Sequence, residues 1–135
     1  LIRMWASGHV KKNKVLATDG PYSFVRHPLY VGNFLIMVGV ALAANLWWPI
    51  PLLIVFWIAF YPHTIAYEDG KLHKTFGEQW EKWSKERNAL IPKPGLIKGF
   101  QKGEWSFSQS LKQNGEPVIA AILAGCMYVM WMNMQ

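Results

Sequence analysis

The chain has 135 residues and a formal charge of +6 at pH 7, a length that bounds it to one domain. The charge would suit nucleic acid or an anionic membrane surface, but its placement excludes the nucleic-acid reading. Between Arg26 and Glu68 stands no Lys, Arg, Asp or Glu, so residues 27 to 67 form an uncharged run of 41, too long for a water-soluble domain that needs polar faces on its surface elements.

In chain order, residues 1 to 28 read as a helix end followed by a basic loop carrying His9, Lys11, Lys12 and Lys14. Asp19-Gly20-Pro21 closes that loop as a turn, because Pro fixes its own φ and Gly permits unusual values. Residues 29 to 67 are expected to form a transmembrane hairpin, since about 20 apolar residues span a bilayer core. Its first helix runs from about Leu29 to Asn45, with Pro28 tolerated near the start. Trp47 and Trp48, beside Asn45, Pro49 and Pro51, mark the turn at the far interface, where aromatic rings concentrate. The second helix runs from about Pro51 to Tyr67 and contains Pro62, which should kink it or free a carbonyl.

Residues 68 to 94 change character. Leu72, Phe76, Trp80 and Trp83 recur at helical spacing, and Glu78 with Lys82 and Glu81 with Lys85 pair on the opposite face. This predicts an amphipathic helix lying at the interface and covering whatever the hairpin leaves open. Residues 88 to 116 read as irregular, with Pro92, Pro94, Gly95, Gly99 and Gly103. Val118 to Met132 is a final apolar run of nearly spanning length, completing the segment 95 to 135. Cys126 is the only cysteine, so neither a disulfide framework nor a metal site is expected, and it reads as a small apolar helix residue. The fold class expected is therefore all-α: a multi-pass transmembrane helical bundle with an interfacial amphipathic helix. Thirteen of the fourteen Lys and Arg lie in residues 3 to 102, flanking the hairpin on one side, which the positive-inside rule makes cytoplasmic. The chain opens Leu1-Ile2-Arg3 without an initiator Met, and a missing upstream helix or a partner chain is expected to complete the bundle.

The block that carries chemistry is Thr18 to Gly32. It sets a Gly-Pro turn, an aromatic ring, a cation, an imidazole and a second phenol at the point where a loop enters the membrane, a depth at which polar groups need partners. Arg26 alone reads as a snorkelling interface anchor, and His27 alone as a helix-start residue. Together, Gly20-Pro21-Tyr22, Val25-Arg26-His27-Pro28, Tyr30 and Gly32 resemble the GPYxxVRHPxYxG signature of the isoprenylcysteine carboxyl methyltransferase family, shared by the phospholipid N-methyltransferases. Glu68-Asp69, Leu72, Phe76-Gly77, Trp80 and Trp83 resemble the family's second element, EExxLxxxFGxxYxxY, with Asp for the second Glu and Trp for both Tyr. The resemblance extends from Arg3 to about residue 94.

The resemblance implies an S-adenosylmethionine-dependent methyltransferase, integral to the membrane, with a cofactor pocket open to the cytoplasm and a lipophilic or lipidated acceptor. It implies that the backbone of Lys14 to Ala17, including Leu16 and Ala17, lines the pocket with Tyr22, His27, Pro28, Leu29 and Tyr30. Glu68 matches the family acid that contacts the cofactor, and Glu68 and Arg26 are the candidate catalytic residues. The chemistry fits: Arg26 or His27 suits the cofactor carboxylate, Glu68 its ammonium, and Tyr22 and Tyr30 offer rings to adenine or to the sulfonium. Glu68, Asp69 and His63 are candidate bases. One departure bears on the substrate. In the isoprenylcysteine enzymes an Arg four residues before the first acid binds the substrate carboxylate, and here that position is Thr64. An amine, thiol or other lipophilic acceptor is therefore as suitable as a prenylcysteine carboxylate. The competing readings are a membrane reductase using a nicotinamide cofactor, whose KYG…W…Y pattern is absent, and a non-catalytic membrane subunit.

Overall fold

The computed structural model describes residues 1–10, 14–95 and 102–133; Lys11 and Lys12 of the basic loop and Gly99 of the irregular segment lie outside them. Among the described residues the regular elements are helical. In chain order they are α1 (Ile2–Ser7), a 3₁₀ turn (Gly20–Ser23), α2 (Pro28–Ala43), α3 (Pro49–Phe76), α4 (Glu78–Glu86), α5 (Phe107–Asn114) and α6 (Glu116–Asn133). Helix α1 packs against α2, α5, α6 and the 3₁₀ turn, while α3 contacts α2 and α4.

Among the described residues two helices, α3 and α6, are long and apolar enough to cross a membrane, and α2 is a shorter apolar helix. Only 6% of the most apolar window of each long helix is buried. A core helix of a water-soluble protein would hide such a window. Here Leu52, Val55, Ile58 and Phe60 of α3, and Val118, Ile122 and Val129 of α6, stand outward. The buried core lies instead at one end, around Ala6, Leu16, Tyr22 and Trp83, with Leu72, Phe76 and Trp80 packed against it.

Proline opens both hairpin helices, in the first turn where a missing N–H costs nothing. The turn between them closes through Asn45 at φ 55°, a left-handed conformation that Asn tolerates. Leu46 donates its N–H back to the Ala41 carbonyl at 2.9 Å, and Trp47 and Trp48 are each 68% exposed. The two helices then pack through aromatic pairs, Phe34 with Trp57 at 4.9 Å and Tyr30 edge-on to Tyr61 at 5.0 Å.

The elements depart from the sequence reading in three places. Helix α3 does not end at Tyr67: it continues through Pro62 and through Glu68-Asp69 to Phe76. Its 28 residues make it about 42 Å long, more than the roughly 30 Å hydrocarbon core, so a helix that enters lipid has a turn or more left for polar residues. The amphipathic segment is accordingly not one helix. Gly77, at φ 53°, breaks it, leaving Leu72 and Phe76 on α3 and Trp80 and Trp83 on α4; the bend folds all four toward the same core. Within the segment read as irregular lies α5, capped by Ser106, whose side chain accepts from the Gln109 N–H, and ended by Gly115 in the left-handed conformation.

Helix α6 is tied to the rest by a buried polar clamp. Glu116, 3% exposed, accepts from Arg3 Nε at 3.0 Å and from Arg3 Nη2. The same guanidinium donates to Asn33 on α2. Gly32 makes room for it, since a Cβ there would lie 2.5 Å from Arg3 Cγ.

Candidate active site

The loop before α2 is held in shape by its own turn chemistry. Gly20 sits at φ 55° with the His9 ring so close that a Cβ would come within 2.6 Å of Nε2. Tyr22 N–H bonds the Asp19 carbonyl at 3.0 Å, and the Ser23 hydroxyl donates to the Gly20 carbonyl at 2.6 Å. From the far side, the chain leaving α4 stitches the loop down. Arg26 and His27 donate their N–H groups to the carbonyls of Asn88 and Ala89 at 3.0 and 2.9 Å. Buried Arg87 donates from Nε to the Ser23 carbonyl at 3.1 Å.

Helix α3 meets this loop through two consecutive acids. Asp69 takes both polar side chains of the loop: Arg26 Nη1 at 2.9 Å through one oxygen and His27 Nε2 at 2.9 Å through the other. Glu68 lies 3.6 Å from His27 Nδ1. His27 stacks on the Tyr30 ring at 5.6 Å, and Arg26 lies over the Trp80 face at 5.8 Å. Burial alone would lower the His27 pKa, but its hydrogen bonds and charge interactions with Asp69 and Glu68 outweigh that and raise it above the ordinary 6.5. Burial, followed by the Glu68 charge, pushes the Tyr22 hydroxyl upward, which keeps it a neutral donor.

Between these elements opens a cavity of about 430 Å³, within the 300–1,000 Å³ typical of small-molecule sites. Its wall includes Leu16, Ala17, Tyr22, Arg26, His27, Leu29, Tyr30 and Glu68. The sequence-selected residues therefore converge on one space, Val15 of the Lys14 to Ala17 stretch among them, except exposed Lys14 and Pro28, buried at the start of α2, which both lie outside the wall. Asp69 stands behind the wall, holding Arg26 and His27, and exposed His63 and Thr64 do not line it. The wall also contains residues that the sequence reading did not select: Val10, Lys71, Leu72, Thr75, Phe76 and Trp83. The i, i+3, i+4, i+7 spacing from Glu68 was the signal for Lys71, Leu72 and Thr75, because these follow on one helix face.

The model of the phospholipid methyltransferase family matches residues 2–79. This stretch contains α1, the loop, α2 and α3 with both acids. The chain belongs to that family. The chain is similar to the protein-S-isoprenylcysteine O-methyltransferase of Schizosaccharomyces pombe, 36% identical over 85 residues, 61% of this chain and 36% of that protein. The chain also resembles the cobalt-zinc-cadmium resistance protein CzcN of Cupriavidus metallidurans, 32% identical over 99 residues, 72% of this chain and 45% of the relative. The nickel-cobalt-cadmium resistance protein NccN of Alcaligenes xylosoxydans xylosoxydans is 34% identical over 101 residues, 71% of this chain and 46% of the relative. Each match spans less than half the length of the relative. No solved structure matches the chain. This membership makes the cavity between the loop and α3, which the matched residues largely enclose, the place to look for chemistry.

Proposed function

We propose that this methyltransferase-family chain uses S-adenosylmethionine and transfers a methyl group to a lipophilic acceptor at the cytoplasmic face of a membrane. The observation that carries the reading is the meeting of His27, Tyr30 and Glu68 around one cavity of cofactor size. The donor set fits the cofactor. Glu68, with its side chain 46% exposed, keeps a free carboxylate edge for an ammonium. Tyr22 and Tyr30 present rings suited to adenine or to a sulfonium cation. Leu16, Ala17, Leu29, Leu72 and Phe76 supply the apolar surface that a nucleoside needs.

When bound, the cofactor supplies a methyl group already activated on a sulfonium. The remaining work belongs to the protein: holding the acceptor in line and keeping water out. Tyr30, Tyr61 and Trp57 continue as a run of ring contacts from the cavity along the α2–α3 seam, an apolar approach suited to an acceptor arriving from lipid. Glu68 is the carboxylate in the wall and the candidate base for an amine or thiol acceptor. Arg26 helps to shape the wall while its charge is matched by Asp69. Thr64, its hydroxyl turned to the Phe60 carbonyl at 3.3 Å, offers no cation for a substrate carboxylate, which favours an amine or thiol acceptor over prenylcysteine.

The membrane arrangement belongs to the same proposal. Helices α2, α3 and α6 cross the bilayer, and a further helix or a partner chain completes the bundle. The Lys- and Arg-rich segments flanking the hairpin lie on the cytoplasmic side, where the cofactor is available.

The test is twofold. In thermal-shift measurements on the detergent-purified chain, S-adenosylhomocysteine stabilises it and NADPH does not. With radiolabelled cofactor and a lipid extract, label appears in the organic phase. Stabilisation by NADPH instead would favour the reductase reading, and stabilisation by neither a non-catalytic subunit.

A further inference from the structure

The cations that the loop offers to an anionic ligand group are already engaged. Arg26 and His27 both bond Asp69 at 2.9 Å, and His27 also faces Glu68. Lys71 differs. It lies in the cavity wall, is exposed, and has no carboxylate within ion-pair distance among the described residues. It stands three residues after Glu68 on α3, a spacing that puts both side chains on one helix face. A carboxylate and an ammonium one helical turn apart on the same wall are the complement of an α-amino acid, whose ammonium and carboxylate hang from a single carbon.

We infer that Lys71 is the cation that holds the carboxylate of the ligand's amino-acid end, with Glu68 holding its ammonium. This rests on the methyltransferase reading and goes beyond it by assigning which residue selects for the amino-acid half of the cofactor. Arg26 and His27 then act as positioning residues, locked to Asp69 so that the loop keeps its shape beneath the nucleoside.

The experiment compares two probes that share the adenosine and sulfur but differ in the amino-acid half: S-adenosylhomocysteine and methylthioadenosine. Calorimetry on the full chain in detergent is expected to give about a tenfold loss of S-adenosylhomocysteine affinity in Lys71→Met, the scale of one charged hydrogen bond, with methylthioadenosine affinity unchanged. Lys71→Arg should keep most of the affinity for both. The substitution leaves the fold's contacts in place, because among the described residues no hydrogen bond or ion pair uses the Lys71 side chain, and the Thr75 hydroxyl reaches only its backbone carbonyl, at 2.9 Å. Unchanged S-adenosylhomocysteine affinity in Lys71→Met, or an equal loss for both probes, overturns the inference while leaving the methyltransferase reading intact. A wild-type chain that binds neither probe overturns that reading, and this inference with it.

Discussion

Asp69 Oδ1 lies 2.9 Å from His27 Nε2, joining a residue of α3 to the loop 42 positions earlier. Its other oxygen holds Arg26, so one carboxylate fixes two consecutive loop residues that line the cavity. All three side chains are shielded, at 6 to 19% exposed. Removing this carboxylate strands two polar groups in a low-dielectric site. Asp69→Ala is expected to cost about 3 kcal/mol of stability, read as a lower unfolding midpoint in detergent. An unchanged midpoint would show that the pairing is decorative.

The same contact sets a pH dependence. His27 holds its proton more tightly folded than unfolded. A group with a raised folded pKa contributes stability fully below its unfolded value, near 6.5, and that contribution fades as pH rises through the folded value. Wild-type stability minus that of His27→Gln should therefore shrink from pH 6 upward. A difference that grows with pH, or stays level, would contradict the Asp69–His27 pairing.

The Arg3–Glu116 pair gives a prediction with an internal control. Glu116 is 3% exposed, so Arg3→Met leaves a buried carboxylate without its cation and should cost about 3–5 kcal/mol. Replacing both with Met removes the unmatched charge and should recover much of that loss. A double variant as unstable as the single one would mean that packing, rather than charge, holds α6 to α1.

Gly20→Ala tests the loop turn. The new Cβ meets the His9 ring at φ 55°, and forcing that conformation costs roughly 1–3 kcal/mol. The variant should lose ligand affinity along with stability, because Tyr22 follows two residues later. A fully stable Gly20→Ala chain would show that His9 has room to move.

What the sequence made legible was local or compositional. The uncharged run located α2, α3 and their turn, and the Gly20 to Gly32 block located the loop, because turn chemistry and apolar runs are written in neighbouring residues. The end of α3 is not written in its polarity: the apolar run ends at Tyr67, but backbone hydrogen bonding continues to Gly77. Helix α5 carries only local signals, Ser106 and Gln109 at capping-box spacing and Gly115 suited to a helix end, inside a segment whose Pro and Gly content reads as irregular. The clamp between Arg3 and Glu116, 113 residues apart, and the backbone pairing of Arg26 and His27 with Asn88 and Ala89 leave no mark in a single sequence, since neither partner's neighbours announce the other.

The proposal depends most directly on Glu68 gripping the cofactor in the cavity beside His27 and Tyr30. Calorimetric titration of S-adenosylhomocysteine into wild type and Glu68→Gln measures this. The account predicts saturable binding to wild type, weakened roughly 10- to 100-fold in Glu68→Gln, the range expected for a charged hydrogen bond, with turnover at saturating cofactor reduced less. Equal affinity in the two proteins would contradict it.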